Sequence, residues 1–102
     1  MGTNRRYADQ IDRRMDERIL ERLAREGPLQ SLSDNELELT RLPMTKDPRP
    51  STVTAWVRFG QSPTRVQAEA VAWTPRAVAI RFTVAGRELR AWVWASAVER
   101  HD

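Results

Sequence analysis

From Asn4 to Glu26 the apolar residues Ala8, Ile11, Met15, Ile19 and Leu23 recur at steps of three and four, while acids and bases occupy the positions between. That spacing draws one apolar stripe along a helix and predicts an amphipathic helix over this stretch. Opposite charges four apart, such as Asp9 with Arg13 and Glu21 with Arg25, reinforce it. Gly27 followed by Pro28 then ends it, because glycine accepts the left-handed closing conformation and proline cannot continue the backbone bonding. The stripe of Ile11, Met15, Ile19 and Leu23 has two possible uses. It packs on the rest of its own chain, or it forms a helix seam to a second copy or a partner.

A second start signal follows in "SLSDNELELTRLP". Ser33 with Glu36 three positions on is the pairing in which each side chain satisfies a backbone donor at a helix start. A short helix running to about Thr40 is expected, burying Leu37 with Leu32 and Leu39 and closed by Pro43. Two helices with a short joint suggest a helix-turn-helix reader of DNA. The second helix, however, is acidic at Asp34, Glu36 and Glu38, where base edges and phosphates require donors and cations. Pro43, Pro48 and Pro50 then make residues 43–51 read as an extended connector without regular structure.

After Ser51 the period changes to two. "TVTAWVRF" alternates Val53, Ala55, Val57 and Phe59 against Thr54, Trp56 and Arg58, and "RVQAEAVAW" alternates Val66, Ala68, Ala70 and Ala72 against Gln67, Glu69, Val71 and Trp73. "AVAIRFTV" places Val78, Ile80, Phe82 and Val84 on one phase, and "RELRAWVW" sets Leu89, Ala91 and Val93 opposite Trp92 and Trp94. Each reads as a half-buried strand. Turns at Gly60, at Thr74-Pro75 and at Ala85-Gly86 join the four into an antiparallel meander, and "ASAV" makes a tight helical turn before a last short strand near Glu99. The expected fold is α+β: a helical arm over 1–42, the connector over 43–51, and a small antiparallel β domain over 52–102 packed as one unit with the arm. That domain reads as an SH3-like barrel or a curled sheet of four to five strands.

If the Val, Ile and Phe phases face inward, the opposite phase collects Trp56, Arg58, Trp73, Arg81, Arg90, Trp92 and Trp94. Indoles offer flat apolar area, guanidinium groups stack on it, and both residue types are enriched at binding hot spots. The competing use is structural, because the first helix needs an apolar bed. A bulge would also turn one or two of these tryptophans into core.

Composition narrows the chemistry. A chain of 102 residues suits one domain, and the absence of cysteine removes disulfides, thiolate nucleophiles and thiolate metal sites. Neither a signal peptide, a lipidation motif nor a membrane span is expected, so the cytoplasm is the expected compartment. The net charge of +3 arises after residue 50, since the ten bases of the first half are cancelled by ten acids. Such a modest excess permits an acidic partner without demanding one. No metal-ligand spacing, nucleophile elbow or glycine-rich phosphate loop occurs; the single histidine, His101, is penultimate and expected to lack fixed partners. Glu69, a carboxylate in mid-strand, is expected to pair with a cross-strand arginine.

"VQAEAVAWTPRAVAIRF" and "RAWVWASAVER", with the opening "NRRYADQIDRRMDERILERL", resemble small proteins of actinobacteria and their phages or mobile elements. The resemblance implies a GC-rich source, in keeping with the arginine bias, and an accessory role; it implies no activity and no site residues. The function expected from the residues is a noncatalytic binding or adaptor module presenting the Trp/Arg surface to a protein partner, without cofactor, metal or small-molecule substrate. A nucleic-acid binder is the alternative, with Arg58, Arg81 and Arg90 on phosphates and Trp92 or Trp94 stacked on unpaired bases. Self-association through the first helix is a third expectation.

Overall fold

The structure, a computed structural model, describes residue 18 and residues 20–101. Its main element is one five-stranded antiparallel sheet of β1 (Thr45–Phe59), β2 (Ser62–Trp73), β3 (Ala77–Val84), β4 (Arg87–Trp94) and β5 (Val98–Arg100). The strand order is β4-β3-β2-β1-β5. After β4 a 3-10 turn at Ala95–Ala97 reverses the chain, and β5 pairs Val98–Arg100 with the far side of β1 at Val53–Ala55. The two outermost strands are therefore consecutive along the chain, which a three-residue link permits only if the sheet curls. They do not pair with each other, so the sheet stays open.

Alternation decides which side is the core. Val53, Ala55, Val57 and Phe59 of β1, Val66, Ala68 and Ala70 of β2, Val78, Ile80, Phe82 and Val84 of β3, and Ala91 and Val93 of β4 form one buried cluster. Phe59 and Phe82 meet edge to face with ring centroids 6.4 Å apart. Burying alternate residues of each strand is what fixes the register, since a slip by one would turn the apolar set to water. The expected turns follow. Gly60-Gln61 links β1 to β2 with Gly60 at φ 59, and Ala85-Gly86 links β3 to β4 with both residues at positive φ, 52 and 77. That second pair is the mirror-image turn whose twist matches two antiparallel strands.

Helix α1 (Asp34–Leu37) starts as its sequence predicts: Ser33 Oγ accepts from the Glu36 N–H at 3.2 Å, and Glu36 Oε1 accepts from the Ser33 N–H at 3.0 Å. It ends at Leu37, short of Thr40, because Glu38 turns left-handed at φ 52. Leu37 is buried, but Leu39, expected inside, stands 43% exposed. Residues 45–51 also differ from expectation. The strand already begins at Thr45, so most of the proline-rich segment is part of β1, and the prolines are taken up by a register shift between Lys46 and Ser51. Asp47 Oδ1 accepts from the Arg49 N–H inside that shift at 2.9 Å.

Of the expected first helix, residues 20–24 are helical, and Leu20, Leu23 and Ala24 pack against the core cluster. Ile11, Met15 and Ile19 lie outside the described residues, as does any seam they form. Downstream, residues 28–32 run as an extended segment between the ends of β1 and β4. On the β1 side, the Gly60 N–H donates to the Pro28 carbonyl (2.8 Å) and the Gln30 N–H to the Arg58 carbonyl (2.8 Å). On the β4 side, the Leu32 N–H donates to the Trp92 carbonyl (2.9 Å), and the Trp92 N–H donates to Ser31 Oγ (2.8 Å). This segment clasps the two ends across the open side. No helix among the described residues is long and apolar enough to cross a membrane.

Candidate functional site

The outward phase of the sheet carries the residues expected there, with one correction. On β2, Ala70 faces Ile80 while Ala72 faces Ala79, so Val71 is one residue too many for its partner strand. Past this bulge the faces exchange. Trp73 lies opposite Val78, a core residue, and packs half-buried against the core cluster, while Ala72, opposite Ala79, remains buried. The Arg100 guanidinium caps the Trp73 ring, 5.7 Å from its centroid. Trp73 therefore leaves the expected surface set.

The other three tryptophans come together. Curling brings the outer side of β1 toward that of β4, with the 28–32 clasp between them, and the space so formed is a groove of about 710 Å3. Trp56 and Arg58 line it from β1, Trp92 and Trp94 from β4, and Gln30, Ser31 and Leu32 from the clasp. Trp56 is 52% exposed and Trp94 42%, the largest uncovered apolar side chains among the described residues. Trp92 is half-buried over its cross-strand neighbour Ala79. The small side chains of Ala77 and Ala79, opposite Trp94 and Trp92, are what leave room for two indoles on one strand face.

Arginines divide into two kinds. Arg81 pairs through Nε with Glu69 Oε1 at 3.0 Å across β3 and β2, as the lone mid-strand carboxylate led one to expect, and Arg90 Nε pairs with Glu88 Oε2 at 3.2 Å. Arg81 and Arg90 face each other across β3 and β4, so each carboxylate also offsets a like-charge contact. Neither lines the groove; Arg90 borders a smaller depression of about 360 Å3 on the far side of Trp92. Arg58, by contrast, donates from Nη1 to the Gln61 carbonyl at 3.2 Å and has no carboxylate partner among the described residues.

Arg65 was not singled out from the sequence and belongs to the site. Its guanidinium lies 5.9 Å from the Trp56 ring centroid and pairs with Glu99 Oε2 on β5 at 3.1 Å. The signal was available: counting outward from the Gly60-Gln61 turn sets Trp56 directly opposite Arg65. His101 likewise has fixed partners, contrary to expectation. Its Nε2 hydrogen-bonds Thr54 Oγ1, and its backbone N–H donates to the Thr52 carbonyl at 3.4 Å. No group of three or more metal-binding side chains converges among the described residues. The groove thus offers flat apolar area, ring and guanidinium donors, the Arg58 cation, the Glu36 carboxylate and the amide groups of Gln30 and Gln61.

No protein-family model matches this chain, and neither the curated proteins nor the solved structures return a match to it.

Proposed function

We propose that this chain is a noncatalytic binding or adaptor module, and that the groove between β1 and β4 receives a segment of a protein partner. The observation that carries the reading is the convergence of Trp56, Trp92 and Trp94 on one groove, with Trp56 52% and Trp94 42% exposed. Tryptophan left in water at two adjoining places forfeits roughly 1.5–3 kcal/mol of burial each, a cost that a partner recovers on docking. The curl, the 3-10 link between the outermost strands and the bridging clasp support a small SH3-like barrel as the finer description of the fold. An accessory role in a phage or mobile element belongs to the same proposal, resting on the sequence resemblance.

The nucleic-acid reading loses ground on one observation. Of the three arginines it assigns to phosphates, Arg81 and Arg90 are already occupied by Glu69 and Glu88, leaving Arg58. Selection from a displayed library of random peptides tests the two readings. Enriched peptides are expected to bind the wild-type chain and to lose at least about tenfold in affinity for Trp56→Ala and Trp94→Ala, with the far-ultraviolet spectrum and melting temperature nearly unchanged. Undiminished peptide binding by the double variant, or binding confined to single-stranded nucleic acid with a steep salt dependence, would overturn the proposal.

A further inference from the structure

The two edges of the sheet are finished differently. On the β1 side, β5 covers Val53–Ala55, and Pro48 and Pro50 blunt the strand beyond it, since proline offers no donor to a neighbour. The opposite edge is β4. There the clasp takes the N–H and the carbonyl of Trp92. Backbone groups alternate between the two sides of a strand, so those of Glu88 and Arg90 point the same way as those of Trp92, away from β3. They have no backbone partner among the described residues, and both side chains are exposed.

The charges on this edge select one partner. An edge of a single sign repels a second copy of itself, but Glu88 and Arg90 are of opposite sign two residues apart. Two β4 strands set antiparallel about a two-fold axis at Leu89 place Glu88 opposite the partner's Arg90, and Arg90 opposite the partner's Glu88. These are also the residues whose backbone groups point outward, so each pair exchanges both of its N–H···O bonds. Neighbouring registers fail. An axis at Arg90 sets arginine against arginine, and an axis at Glu88 sets glutamate against glutamate. An axis between two residues opposes outward groups to inward ones. On the inner face the axis at Leu89 brings Leu89 to the partner's Leu89. Leu89 is half-buried and lines a depression of about 370 Å3 that is floored by Leu29 and Phe59 and rimmed by Glu21, Arg25 and Arg87, open space for a second leucine. Within one chain Arg90 Nε already reaches Glu88 Oε2 at 3.2 Å, and pairing across the axis joins two such exposed pairs into one network. We infer that the uncovered half of β4, residues 87–91, is the contact by which two copies of this chain form a dimer, one continuous sheet running through both. The contact is separate from Trp56 and Trp94 and stands or falls independently of the groove between β1 and β4.

Sedimentation equilibrium of the full chain tests the inference. The shared edge is short, so a dimer with a Kd of about 10–100 µM is expected. Glu88→Arg and Arg90→Glu each set like charges against one another at the axis, and each should weaken the dimer by about tenfold or more. An equimolar mixture of the two variants sets arginine against glutamate at both positions and should dimerise about as well as the wild type, an outcome that damage to either fold does not produce. Arg90→Pro removes an outward donor at an edge position that tolerates proline, and should weaken the dimer with the far-ultraviolet spectrum unchanged. A wild type still monomeric at about 1 mM overturns the inference. So does a dimer that Glu88→Arg and Arg90→Pro leave intact and Ile11→Asp dissolves, which places the contact in the first helix. Failure of the mixed variants to associate, where the wild type does, overturns the register about Leu89.

Discussion

Gly27 and Gly60 cross at a point where neither has room for a side chain. A Cβ on Gly27 would stand 2.7 Å from the Gly60 Cα, which is backbone and cannot swing away. Gly27→Ala is therefore expected to cost about 1–3 kcal/mol, read as a lowered midpoint in urea unfolding. Gly86 makes the contrasting case. A Cβ there meets nothing within 4 Å, so at φ +77 only backbone strain opposes substitution, and Gly86→Ala should cost about 1–2 kcal/mol. Its neighbour Ala85 already bears such strain at φ 52, and Ala85→Asn, with a side chain that tolerates this conformation, should raise stability by about 0.5–1 kcal/mol. At this scale the sequence is readable where the cause is local. Ser33 and Glu36, Ala85 and Gly86, and Glu69 facing an arginine all depend on neighbours a few positions away or directly across a short hairpin. Gly27 reads in the sequence as a helix stop, and its contact with Gly60 becomes visible only when two distant segments cross.

Among the elements, the strands from Val53 onward are legible because burial of one face forces strict alternation through Val66–Ala70, Val78–Val84 and Ala91–Val93. The clasp at 28–32 is not. It has no period, and its hydrogen bonds go to the backbone carbonyls of Arg58 and Trp92 and to the Trp92 N–H, groups that every residue possesses. The same limit hid the start of β1, where Pro48 and Pro50 argue against a strand but sit within a register shift that needs no ladder bond from them. Ser31→Ala removes the acceptor of the Trp92 N–H. It is expected to cost about 0.5–1.5 kcal/mol, and hydrogen exchange at the Trp92 amide should quicken more than exchange at Val93, which belongs to the β3 ladder. Equal quickening at both positions would mean that the segment holds the whole strand rather than its edge.

For the molecule as a whole, the interior is built largely from alanine and valine, and the largest side chains in it that are almost wholly enclosed are Phe59, Ile80 and Val53. Few large anchors make each one consequential. Ile80→Ala should cost about 2–5 kcal/mol, a large share of the 5–15 kcal/mol that holds a small domain together, and should appear as a melting point lowered by about ten degrees or more. The candidate site follows the same division of legibility as the elements. The outward tryptophans of β1 and β4 were readable from phase, and their convergence depends on a curl that brings β1 and β4 to two sides of one segment. Trp73 was misplaced by a single residue, Val71. In the language of genes, that residue is one codon. An in-frame loss of it would remove one valine and leave charge and every neighbouring residue intact, yet would return the half-buried Trp73 indole to the outward phase. The partition of aromatic surface in this protein is thus more sensitive to insertion and deletion than to substitution, and related chains that differ by one residue here would differ in which rings face water while scarcely differing in sequence.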